Sequence, residues 1–181
     1  TTCGNSGNKT NGKIILKVPV KVVAIKPTVN VYIENSGSMD GYVKGVTEFE
    51  QAIYNYLTDI KISQFSDSLN LFYINSEIIP QGSDISDFIE KLEPTNFKIK
   101  GGSRGTTDIS NLLKSVLTET SSNEIAILVT DGIFSPGLGK DAEQYLVNQQ
   151  IGIKSNMANY LKRYPNSAVV IYQLLSKFDG W

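Results

Sequence analysis

The stretch Val29-Asn30-Val31-Tyr32-Ile33-Glu34-Asn35-Ser36-Gly37-Ser38-Met39 decides how the rest of the chain is read. Val29 to Ile33 is a run rich in β-branched and aromatic residues, the pattern of a buried strand in a parallel sheet. It ends in a short polar loop, and a helical pattern begins within a few residues. Loops at the carboxyl ends of strands are where open α/β sheets hold their ligands. Glu34, Ser36 and Ser38 stand at alternate positions and offer one carboxylate and two hydroxyls to a common spot. Oxygen donors of this kind suit a hard divalent cation.

Outward from this stretch the chain alternates between strand and helix patterns. Val43, Val46, Phe49, Ile53, Tyr56, Leu57 and Ile60 recur at helical spacing and predict a helix over Tyr42 to Ile62. Leu69 to Ile74 reads as the next strand, with Ile78-Ile79-Pro80 as a short edge strand. Asp84 to Leu92 reads as a short helix capped by Ser83 or Asp84 and closed by Pro94. A Gly-rich loop, Gly101 to Asp108, leads into a helix over Ile109 to Leu117. Glu124 to Thr130 is a buried strand ending in Asp131-Gly132. Lys140 to Tyr164 holds either one helix or two divided near Gly152, and Ser167 to Leu175 reads as a further strand. Lys13 to Ile25 also reads as a strand, placed at a sheet edge by Pro19 and guarded there by Lys17 and Lys21. The alternation predicts an α/β fold: a doubly wound, mostly parallel central sheet flanked by helices, Rossmann-like in its connections.

Bulk properties narrow the chemistry. The 181 residues suffice for one domain, and 40% apolar with 19% charged residues is the composition of a folded protein. The net charge is −1 with both signs interspersed, and no basic stripe is visible, which argues against nucleic acid as a partner. Histidine is absent, so there is no Ser-His-Asp triad, no Cys-His pair and no imidazole-ligated zinc. A single cysteine excludes an internal disulfide framework and a thiolate metal cluster. A metal must therefore be held by oxygen.

Residues 1–12 are Thr, Asn, Ser, Gly and Lys with little to bury, a flexible tether ahead of one domain over 13–181. Cys3 at its head resembles the lipid-bearing start of a mature bacterial lipoprotein. That implies an extracytoplasmic, lipid-anchored envelope protein touching the membrane only through its anchor; the alternative is an incidental cysteine.

Three loops follow strands or open helices in the order such a sheet requires, and in a parallel sheet they face one edge. They offer Glu34, Ser36 and Ser38, then Thr106 or Thr107, then Asp131. Taken together, the motifs resemble the von Willebrand factor A domain, the integrin I-like module with a metal-ion-dependent adhesion site. That family's Asp-x-Ser-x-Ser stands here as Glu34-Asn35-Ser36-Gly37-Ser38, followed by Met39. Its Gly-Gly-Thr loop is matched by Gly105-Thr106-Thr107-Asp108, which favours Thr107, and its Thr-Asp-Gly by Thr130-Asp131-Gly132. The resemblance spans about Val29 to Leu175. It departs from the family at Glu34, whose longer side chain shifts the charge by about one bond length. Mg2+ demands near-ideal octahedral geometry and Ca2+ tolerates variation, so the cation implied is Mg2+, Mn2+ or Ca2+. Family domains also continue past the fifth strand; Trp181 comes early for that, so either the chain is part of a longer protein or Lys13 to Ile25 takes the vacant edge.

The resemblance implies a metal-binding, cell-adhesion type of protein–protein interaction. Glu34, Ser36, Ser38, Thr107 and Asp131 would hold the cation, and a partner protein would complete its coordination with a Glu or Asp side chain. Met39, Tyr42 and Arg104 are candidates for the rim touching that partner. Two other readings stand beside it: a metal-free interaction domain with a degenerate site, and a metal-dependent hydrolase. The second lacks a histidine base, a Gly-x-Ser-x-Gly turn and a phosphate-binding Gly-Lys-Ser/Thr, so the expectation is that the protein is not an enzyme.

Overall fold

In the computed structural model, which describes residues 25–45, 47–99, 101–137, 139 and 141–178, the opening stretch forms an interior strand. This strand, β1 (Thr28–Glu34), is buried along almost its whole length. It pairs in parallel on one side with β2 (Ser68–Ile74) and on the other with β4 (Glu124–Val129), while β3 (Ile78–Gly82) pairs antiparallel with β2. The order is β3-β2-β1-β4. Val31 lies opposite Leu71 on one neighbour and Ile127 on the other. A strand with neighbours on both sides and helices on both faces has no wet face, and this is why it reads as a continuous apolar run.

Each face has its own core. Val29, Val31 and Ile33 point to one side, where Ile53, Leu57 and Ile60 of α1 (Glu48–Ser63) and Phe88 of α2 (Ile85–Glu90) cover them. Phe97 of α3 (Pro94–Ile99) joins this cluster and meets Tyr73 edge-on at 5.0 Å. Tyr32 and Ile74 point to the other side and pack under Leu112 and Val116 of α4 (Ile109–Glu119). Tyr32 stacks on Phe72 at 4.8 Å. The last helix, α5 (Ala142–Arg163), lies against α4. The protein is thus α/β, with a four-stranded mixed sheet flanked by helices.

Several expectations are revised. The helix expected to begin at Tyr42 starts only at Glu48 as α1, and Tyr42 instead ends a 3-10 helix over Gly37–Tyr42. The reason is the N-cap at Thr47, whose hydroxyl accepts from the Glu50 amide at 3.1 Å and donates to the Tyr42 carbonyl at 2.7 Å. Pro94 opens α3 instead of ending structure, since its missing N–H costs nothing at a first helical position. Gly152 does not break α5. A Cβ there would collide with the Ser110 hydroxyl, so glycine is what lets α5 sit close on α4.

The largest revision is at Ser167–Leu175, which forms neither strand nor helix. Ile171, Tyr172 and Leu175 are 81%, 82% and 95% exposed. Strand propensity measures fit to a pleated, half-buried surface, and among the described residues this segment has no ladder partner to create one. Among the described residues β4 pairs only with β1. The tether, Cys3 and nearly all of the Lys13 to Ile25 segment lie outside the described residues; Ile25 itself is exposed and in no strand. No described helix is long and apolar enough to cross a membrane.

Candidate functional site

Register places the first two contributors side by side. Ile33 lies opposite Val129, so the next residue of β1, Glu34, emerges beside Thr130 and Asp131 at the carboxyl end of β4. Glu34 is fully buried. The Thr130 hydroxyl donates to its Oε2, and the Thr107 hydroxyl donates to Oε1 at 3.3 Å. Ser36, 2% exposed, opens the 3-10 helix, and its Oγ lies 3.0 Å from Ser38 Oγ.

Thr107 is delivered by a separate device. An isolated antiparallel bridge joins it to Ser135, with Thr107 N donating to Ser135 O at 3.2 Å. The Tyr145 hydroxyl of α5 donates to the Thr107 carbonyl. Just after it, Asp108 caps α4 by accepting from Asn111 N at 2.9 Å. The buried Gln149 of α5 accepts from Ser110 N and donates to Asp108. Held this way, Thr107 is 4% exposed and faces Glu34, whereas Thr106 is exposed.

Two carboxylates share this corner. Asp131 Oδ1 accepts from Ile133 N at 2.9 Å, and its Oδ2 is buried with no hydrogen-bond partner among the described residues. A buried oxygen left without a hydrogen bond typically costs about 1–3 kcal/mol. Burial pushes the Glu34 carboxyl up from its ordinary pKa, and the Asp131 charge pushes the same way, while the Ser36, Thr130 and Thr107 hydroxyls pull it down. The donor set is therefore two carboxylates plus hydroxyls, all hard oxygen. No group of three or more Asp, Glu, His or Cys side chains suited to a metal occurs among the described residues.

The expected rim is placed differently. Met39 is 1% exposed and belongs to the core, so it does not face outward. Tyr42 is half-buried between Phe49 at 5.9 Å and Phe178 at 5.0 Å. Arg104 turns inward: its Nε donates to Asn35 O at 2.6 Å, and its Nη2 donates to Ser36 O at 3.2 Å and pairs with the Asp40 carboxylate.

Sequence reasoning missed a polar layer beneath the loops. The Asn75 amide donates to Asn35 Oδ1 and to Gly101 O, both at 2.9 Å, and its own Oδ1 accepts from Glu77 N at 3.1 Å. Asn35 in turn reaches Phe97 O. This layer joins the loops after β1 and β2 to the Gly-rich loop, and Gly102 is needed where a Cβ would collide with the Asn75 amide. Asn75, directly after an apolar strand, was the only signal available. Thr130 was also missed as a partner of Glu34, though it stood in the quoted Thr-Asp-Gly.

An open cavity of about 370 Å3 lies elsewhere, on the sheet face between Tyr32, Phe72, Ile78, Glu119 and Glu124. None of its lining residues is one of the candidate site residues. No protein-family model and no curated protein sequence matches the chain.

Proposed function

We propose that the chain is a divalent-cation-dependent protein-binding module of the von Willebrand factor A type, with a doubly wound arrangement of its sheet. Glu34, Ser36, Ser38, Thr107 and Asp131 would hold Mg2+, Mn2+ or Ca2+. The observation that carries this reading is the buried Asp131 Oδ2, without a hydrogen-bond partner among the described residues, near the buried Glu34, whose carboxylate meets the Ser36, Thr107 and Thr130 hydroxyls. Two carboxylates of like charge in a water-poor corner repel each other, and a hard cation between them removes both that repulsion and the orphan oxygen. The neutral hydroxyls would supply much of the shell, and an external carboxylate would complete it at a position these residues leave open. The partner is accordingly a protein presenting Glu or Asp. No catalytic role is proposed, since the chain has no histidine to serve as a base towards Ser36 or Ser38. The envelope location rests on Cys3 and the tether alone, and labelling with a radioactive fatty acid tests it.

A second reading, a degenerate metal-free interaction domain, is favoured by one observation: both oxygens of Glu34 already accept hydrogen bonds from protein hydroxyls. Calorimetric titration with Mg2+, Mn2+ and Ca2+ separates the two. The cation-dependent reading expects saturable 1:1 binding by the wild type that Asp131→Ala abolishes, followed by chelator-sensitive capture of an acidic partner. Absence of heat with all three ions supports the degenerate site. Turnover of phosphoesters or esters in the presence of Mg2+ or Mn2+ would point to a hydrolase instead.

A further inference from the structure

We infer that Arg104 is a positioning residue that sets the affinity of this site for its cation, an inference resting on the cation-binding reading above. It comes from the Gly-rich loop yet binds almost the whole length of the neighbouring loop. Its guanidinium takes the carbonyls of Asn35 and Ser36 and the carboxylate of Asp40, and its own carbonyl accepts from Gly37 N at 3.0 Å. Side chain and main chain therefore grip in opposite senses, one donating and the other accepting. With both carbonyls turned to the guanidinium, the peptide planes around Ser36 are fixed. Its hydroxyl and that of Ser38 are then left together, 3.0 Å apart, on the Glu34 side.

Arginine suits the task for two reasons. Its planar fork can serve several oxygens at once from one rigid group, which a lysine ammonium on a flexible stem does not reproduce. The side chain is only 15% exposed and lies 5.9 Å from the Phe97 ring, so the fork is held by packing as well as by hydrogen bonds. A bare guanidinium beside a cation site would repel the ion. Asp40 offsets that charge, so the clamp adds order without adding net positive charge.

Partners that orient metal ligands typically change affinity by about 10- to 100-fold when removed. The experiment uses the full chain with Mn2+ as the probe, titrated into wild type, Arg104→Ala, Arg104→Lys and Asp40→Asn. Amide hydrogen exchange of each cation-free protein is read at Gly37 and in α1. The expected result is wild-type binding, a Kd raised about tenfold or more in both Arg104 variants, and faster exchange at Gly37 with protection of α1 retained. Asp40→Asn keeps the carbonyl bonds and is expected to weaken binding less, and to do so mainly at low ionic strength. Wild-type affinity in Arg104→Lys, or unchanged Gly37 exchange in Arg104→Ala, overturns the inference alone. Failure of the wild type to bind Mn2+ overturns the reading of the site and this inference with it.

Discussion

The Thr107 hydroxyl meets the Glu34 carboxylate at 3.3 Å although the two residues are 73 positions apart, and neither is exposed. That contact joins the loop after β1 to the loop before α4. Both ends of it are also tied to a third loop: Glu34 through Thr130, and Thr107 through the bridge to Ser135. The corner is thus a closed polar junction. Removing any one member has consequences that can be measured.

Thr107→Val keeps the shape of the side chain and deletes the donor to Glu34. Hydrogen bonds to charged or partly charged buried groups are worth about 1.5–3 kcal/mol, so urea unfolding of the cation-free variant is expected to show a loss in that range. Thr130→Val is expected to behave alike. A loss below about 0.5 kcal/mol in both, the level of an ordinary surface change, would mean that Glu34 finds other partners.

Asp131→Asn removes the charge that repels Glu34 and leaves the side chain nearly the same size. Stability of the cation-free protein is expected to hold or rise. Cation affinity is expected to fall at least about tenfold, or ~1.4 kcal/mol. Thermal unfolding with and without Mn2+ reads both effects in one experiment. A variant that is less stable yet binds normally contradicts the account of this corner.

The raised Glu34 pKa gives the cation-free protein a pH dependence of definite sign. The folded state holds this proton more tightly than the unfolded chain does, mainly because burial disfavours the carboxylate. Its contribution to stability is therefore full below the ordinary glutamate value and is lost as pH rises through the higher folded value. Glu34→Gln carries no such proton, so the stability of wild type relative to Glu34→Gln is expected to decline across that window. Cation binding needs the carboxylate, so affinity is expected to strengthen over the same window with proton release. Denaturant unfolding and calorimetry in buffers of different ionisation heat measure the two trends.

Gly152→Ala tests the contact between α4 and α5. In an exposed helix this change stabilises by about 1 kcal/mol, but here the new methyl meets the Ser110 hydroxyl. Overpacking of this kind costs about 1–3 kcal/mol, so a net loss is expected, together with looser anchoring of the Asp108 end of α4. Ser110→Ala in the same chain removes the colliding oxygen and is expected to restore most of the loss. Stabilisation by Gly152→Ala alone would show that the helices can move apart freely.

Most of the elements were legible because their patterns are local. The apolar run of β1, the stripe of Ile53, Leu57 and Ile60, and the spacing of Leu112 and Val116 each announce an element and its buried side. The boundaries that failed were also local in cause, at the Thr47 cap and at Pro94, where a competing signal was overlooked. Ser167–Leu175 failed for another reason: being a strand depends on a neighbour that the segment itself does not contain.

The amino-acid sequence by itself determined the α/β alternation, the oxygen-only chemistry of any metal and the identity of Glu34, Thr106 or Thr107, and Asp131 as candidates, because these depend on residue type and near spacing. Only the tertiary structure decided that Arg104 faces inward, that Met39 is core and that Asn75 underlies the loops. Those outcomes depend on where a side chain finds its partner after the strands have set their register, and residues 69 positions apart, such as Asn35 and Arg104, carry no sign of each other in the linear chain.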